Sequence, residues 1–166
     1  MIDPKSLCYG SWFFVLCSIW VIIIVIPLKM HYLLIRSSKF PILDGEDAEL
    51  TNPGTYGKTF AQFLQTSLKS IGYNVPFIVC EDWGWWVEIK LPNKSIGLCC
   101  YRHHDENTEC EFVCFTSPES NRVWSWRRFR MIDIGDELTK LVHDLTMIFT
   151  DDSAIEFLSD TSDFPF

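Results

Sequence analysis

Chemistry in this chain would have to come from two clusters of side chains. The first is Cys99, Cys100, His103, His104, Cys110 and Cys114, residue types that hold zinc or form a thiol nucleophile. Zinc needs its ligands within about 2.3 Å of one point. On a strand, residues four apart share a face but lie about 13 Å from each other, so these six cannot converge from one strand. A site would need a cross-strand pair such as His103 and Cys110 plus ligands from elsewhere, and no C-x-x-C occurs. The same pair could form a nucleophilic dyad. A reactive cysteine also needs a depressed pKa and oxyanion donors, and the sequence marks neither. Glu81, Asp82 and Glu88 could make an acid–base pair, although turn carboxylates are more often simply solvated. No phosphate loop, G-x-G-x-x-G, G-x-S-x-G or H-E-x-x-H is present. Neither a metal nor another cofactor is expected, and the chain reads as a non-enzyme.

The second cluster is aromatic and acidic: Glu81-Asp82-Trp83-Gly84-Trp85-Trp86-Val87-Glu88. Gly84 marks a tight turn, and Trp85 and Trp86 point to opposite faces of the strand that follows, so they cannot line one cage. With Trp124 and Trp126, one face can still carry an aromatic patch flanked by acids, suited to a cationic or flat protein surface. The plainer alternative places these tryptophans in the core. Both readings stand at this point, with Glu81, Asp82, Trp83, Trp85, Trp86, Trp124 and Trp126 as the candidate binding residues.

The elements that must hold these residues are readable from periodicity. Thr55–Ile71 spaces Tyr56, Phe60, Phe63, Leu64, Leu68 and Ile71 at 3.6 residues and closes on Gly72, the pattern of an amphipathic helix. Four strand-like runs follow, Val75–Cys80, Trp85–Leu91, Ser95–Arg102 and Glu109–Thr116, separated by turn signals. Residues 119–132, with Arg127, Arg128 and Arg130, supply a possible fifth strand. Ile134–Phe149 is a second amphipathic helix with Asp136 and Glu137 in its first turn. The expected fold is therefore α+β over residues 55–150: helix, four- or five-strand antiparallel meander, helix. Residues 37–54 read as an acidic linker and 151–166 as an acidic, mobile tail. A turn centred on Glu106 and Asn107 sets Arg102 opposite Glu111, Cys99 opposite Cys114 and His103 opposite Cys110. Both faces of that hairpin are largely apolar, so layers should cover both.

Residues 1–36 read as an anchor and its basic flank. No charge occurs from Ser6 to Leu28, a span that as helix reaches roughly 35 Å, enough for a hydrocarbon core. Ser11–Leu28 is therefore the expected transmembrane helix, with the lipid bilayer as its partner. Lys29, Arg36 and Lys39 follow the span, so the expected topology is single-pass in the plasma membrane, N-terminus outside and domain cytoplasmic. Met30–Ile35 would lie along the headgroups. The charges divide sharply: residues 1–39 carry four basic side chains against Asp3, a net of +3. Residues 40–166 carry 10 basic and 21 acidic, a net of −11. That surface repels nucleic acid.

One resemblance bears on function. The helix, the next strand and the run from Glu81 to Ile89 resemble small bacterial α+β proteins with an E-D-W-G-W turn, over Thr55–Lys90. The resemblance implies a bacterial source and a non-enzymatic domain of immunity-protein type, and it assigns no functional residues. The expected function is thus a membrane-tethered protein-binding domain, an immunity or regulatory protein masking a basic partner. The alternatives are a chaperone-like module of a secretion system and, further off, a cysteine- or metal-dependent enzyme.

Overall fold

The computed structural model describes residues 31–92, 94–103, 110–117 and 121–165. They form eight strands and two helices: β1 (Tyr32–Arg36), α1 (Lys58–Ser70), β2 (Ile78–Cys80), β3 (Trp85–Lys90), β4 (Ser95–His103), β5 (Glu111–Ser117), β6 (Arg122–Ser125), β7 (Arg130–Asp133), α2 (Gly135–Asp151) and β8 (Glu156–Thr161). Six strands make one antiparallel sheet in the order β2-β3-β4-β5-β1-β8, and β6 pairs only with β7.

The two helices occupy the stretches of 3.6-residue spacing and lay their apolar stripes on one sheet face. Phe60, Ala61, Leu64 and Leu68 of α1 and Leu138, Leu141, Leu145 and Phe149 of α2 are buried. Facing them are Leu33 and Ile35 of β1, Val87 and Ile89 of β3, Leu98 of β4 and Phe112 of β5. An aromatic knot ties the layers: the Phe60 ring lies 5.2 Å from Phe40, 5.0 Å from Phe112 and 6.2 Å from Phe149.

This architecture corrects the expected fold. The molecule is mostly sheet, and the meander is only part of it, because β1 inserts between β5 and β8. Of the run expected at the headgroups, Met30–Ile35, the part from Tyr32 is an interior strand; its unbroken aromatic and aliphatic residues favour that state once a sheet edge is there to pair with, and burial alternates along it. The expected single-pass membrane architecture is corrected to this extent: no helix among the described residues is long and apolar enough to cross a membrane. Ser11–Leu28 itself lies outside the described residues.

The missing strand also shifted the hairpin register by one. Cys100, not Cys99, sits opposite Cys114, Arg102 sits opposite Phe112, and His103 sits opposite Glu111. The reason is electrostatic as well as geometric. Glu111 takes its ion pair from Arg36 of β1, at 2.8 Å, so it does not need Arg102. Slipping by one exchanges the faces of a strand, and here it turns Phe112 rather than Val113 toward the helices. Neither described helix covers the opposite sheet face; there Phe164 packs edge-on against Tyr32 and Tyr101 at 5.6 and 5.9 Å.

Residues 37–54 and 151–165 are built into the fold rather than strung from it. Phe40 is in the core, and β8 forms the sheet edge beside β1. Glu46 is 1% exposed. Its carboxylate accepts the backbone N–H groups of Gly57 and Lys58 at 2.9 Å, at the start of α1, and that of Leu43 at 3.1 Å. It therefore satisfies donors that a helix start leaves unpaired and sits at the positive end of the helix dipole. Lys58 pairs with Glu49 and Tyr56 with Asp47 on the same segment. Glu46→Ala is expected to lower stability by about 2 kcal/mol in urea denaturation, since it strands buried donors. A change below about 0.5 kcal/mol would show that the segment does not hold α1.

Candidate functional site

The expected site residues do not come together. Trp85 is 2% exposed and lies in the core beneath α1. Trp86 points to the other sheet face, where its ring lies over Gly97; a Cβ there would stand 2.0 Å from the indole. Its Nε1 donates to Glu88 at 3.0 Å. Trp83 is half-buried in the turn, between exposed Asp82 and buried Gly84. That turn is closed by the Glu81 N–H to the Gly84 carbonyl at 2.8 Å and held from outside by Asn52, whose Nδ2 donates to the Asp82 carbonyl at 2.6 Å. Gly84 has φ +155°, and a Cβ there would lie 2.5 Å from the Cys100 carbonyl oxygen, so only glycine fits. Glu81 and Asp82 remain exposed beside this turn. No ring contact among the described residues joins Trp83, Trp85 or Trp86 to Trp124 or Trp126.

Trp124 and Trp126 belong instead to the β6–β7 hairpin, which carries the two most exposed large hydrophobic side chains among the described residues. Its strands pair Val123 with Ile132 and Trp124 with Met131. The inward residues Val123, Ser125 and Ile132 are buried, which fastens the hairpin to the core. By the two-residue alternation of a strand, Trp124 and Met131 then face out. The connecting turn, Trp126-Arg127-Arg128-Phe129, is bridged by the Arg128 N–H to the Ser125 carbonyl at 3.2 Å.

At its tip Trp126 is 74% and Phe129 75% exposed. Trp124, Trp126 and Phe129 pack edge to face, with ring centroids 6.0 to 6.3 Å apart, into one aromatic knob. Phe129 alone among the described non-glycine residues has a positive φ, +50°. A bulky side chain in the left-handed region is strained, and glycine or asparagine would hold the turn at less cost. Arg127, Arg128 and Arg130 belong to the same turn and the start of β7 and are exposed, with no carboxylate of the described residues within ion-pair distance. Four of the ten basic side chains beyond residue 39 lie between 122 and 133, against Asp133. The remainder of 40–166 keeps six basic and 20 acidic groups, a net of −14. A basic aromatic arm therefore projects from an acidic body.

Phe129 was the residue that sequence reasoning missed. Its signal is a phenylalanine between arginines at the point where β6 must reverse into β7.

Burial disfavours a thiolate at three cysteines of the sheet. Burial pushes the Cys99 thiol up to about 12, and it holds Cys100 and Cys114 in the core well above their ordinary value. Cys110 is not opposite His103; its Sγ accepts from Arg102 Nη2 at 2.9 Å. Among the described residues no group of three or more His, Cys, Asp and Glu side chains converges on a point. No family model, curated protein or solved structure matches the chain.

Proposed function

We propose that this chain is a non-enzymatic protein-binding domain whose docking element is the β6–β7 hairpin. The observation that carries the reading is the strained, three-quarters exposed Phe129 beside an equally exposed Trp126. Strain and exposed aromatic surface both oppose stability, and they persist together where a contact outside the chain uses them. Trp and Arg are the side chains that dominate interface energies, and a knob fits a cleft. The partner has an apolar cleft rimmed by carboxylates, because the knob carries three arginines. Its edge-to-face rings form a compact plug rather than parallel platforms for stacked bases, and a body of net −14 disfavours a polyanion. Masking a partner's surface, as an immunity or regulatory protein does, is the role this arrangement suits. A basic partner at Glu81 and Asp82 is less favoured, since the neighbouring tryptophans there are buried or half-buried and offer little anchor.

Photo-crosslinking in the cells that produce the chain tests this directly. A crosslinker replacing Trp126 should capture a discrete protein, and Arg127→Glu with Arg128→Glu should abolish the capture. A crosslinker replacing Asp82 should capture none. Capture at Asp82 alone would move the interface to the acidic turn and defeat the proposal.

A further inference from the structure

We infer that the core-facing side of β3 and β4, at the start of α1, holds a bound oxyanion, a group of carboxylate or phosphate chemistry. The inference is independent of the hairpin. Arg102 is half-buried, and its Nε and Nη1 are shut off from solvent without a hydrogen-bond acceptor. No carboxylate of the described residues lies within ion-pair distance of it, in a region of the chain with 21 acidic side chains. Trp85 is 98% buried, and its Nε1 also lacks an acceptor. The two side chains are neighbours: Trp85 pairs with Cys100, and Arg102 is two residues along β4 on the same face.

Gly57 marks where they meet. At φ +141° its absent Cβ would stand 3.5 Å from Trp85 Cδ1, the atom bonded to Nε1, and 3.9 Å from Arg102 Cβ. Lys58, the next residue, holds its ammonium 5.8 Å from the Trp85 ring. Three donors without a partner and a guanidinium charge therefore lie on one sheet face beside a helix start, with Arg102 Nη2 given to Cys110 Sγ, while that helix's first N–H groups are already occupied by Glu46. Buried donors are nearly always satisfied, and those that are not in the protein alone mark a water or an ion. A water would meet the hydrogen bonds but not the charge. An oxyanion meets both, as arginine and indole N–H groups do in anion recognition.

The test uses the full chain labelled with 15N and titrated with phosphate or acetate at constant ionic strength. The Trp85 indole N–H signal is assigned by its loss in Trp85→Phe. It should move saturably with one of the two anions, and the anion that moves it identifies the class. The shift should vanish in Arg102→Gln, weaken about tenfold in affinity in Arg102→Lys, and persist in the hairpin variant Arg127→Glu/Arg128→Glu. Persistence there separates this site from the protein interface. If Arg102→Gln fails to fold, the lysine variant alone decides, because it keeps the charge and removes the guanidinium geometry. A signal indifferent to both anions means that water alone fills the position, and an equal shift in the Arg102 variants means an anion effect that does not use Arg102; either result overturns the inference.

Discussion

Phe60→Ala is expected to remove about 3–5 kcal/mol of stability, the range for truncating a fully buried phenylalanine. The loss is large because one ring contacts every layer. Phe60 has no exposure, and its neighbours Phe40, Phe112 and Phe149 come from the segment before α1, from β5 and from α2. Each of those rings would face the cavity, and none is flexible enough to fill it. Urea denaturation followed by near-ultraviolet circular dichroism measures the change. Since a domain of this size holds roughly 5–15 kcal/mol in all, much of its margin would be gone. A loss below 1 kcal/mol would mean that the helices do not share one core with the sheet.

Trp126→Ala should do the reverse, leaving the fold intact while weakening partner binding by on the order of 3 kcal/mol, more than a hundredfold. Three-quarters of Trp126 faces solvent, so its removal creates no cavity. Its ring is nonetheless one wall of the aromatic knob, and losing it exposes the edges of Trp124 and Phe129. Isothermal titration against the protein captured through this hairpin reads the binding loss, and thermal melting reads the fold. A loss of melting temperature comparable to that of Phe60→Ala would place Trp126 in the core and remove it from any interface.

These two expectations draw on different parts of the sequence's legibility. Both helices are visible because Phe60, Leu64, Leu68 and Leu138, Leu141, Leu145 recur at helical spacing, and burial then acts on a pattern already present. The strands from Trp85 to Ser117 show through turn residues and β-branched or aromatic runs. The rest depends on contacts distant in sequence. Tyr32–Arg36 follows an apolar stretch and looks like its flank, and only pairing with β5, some 80 residues on by the Tyr32–Phe115 match, makes it a strand. Glu156–Thr161 is acidic and alternates weakly, so nothing local separates an edge strand from a tail. Glu46 reads as a solvated acid because its partners, Gly57 and Lys58, are presented only by the folded start of α1. For the site, composition pointed to tryptophan and charge but merged two unrelated places. Trp85 and Trp126 differ in burial, not in type, and burial is decided by the sheet.

The central claim is that the knob exists for an external contact, and Phe129→Gly tests it most directly. Glycine adopts a positive φ without the steric cost that Phe129 bears, and little buried surface is lost from a side chain 75% exposed. The account predicts a melting temperature that holds or rises while affinity for the captured partner falls at least tenfold. A marked drop in melting temperature, or binding unchanged, would contradict it.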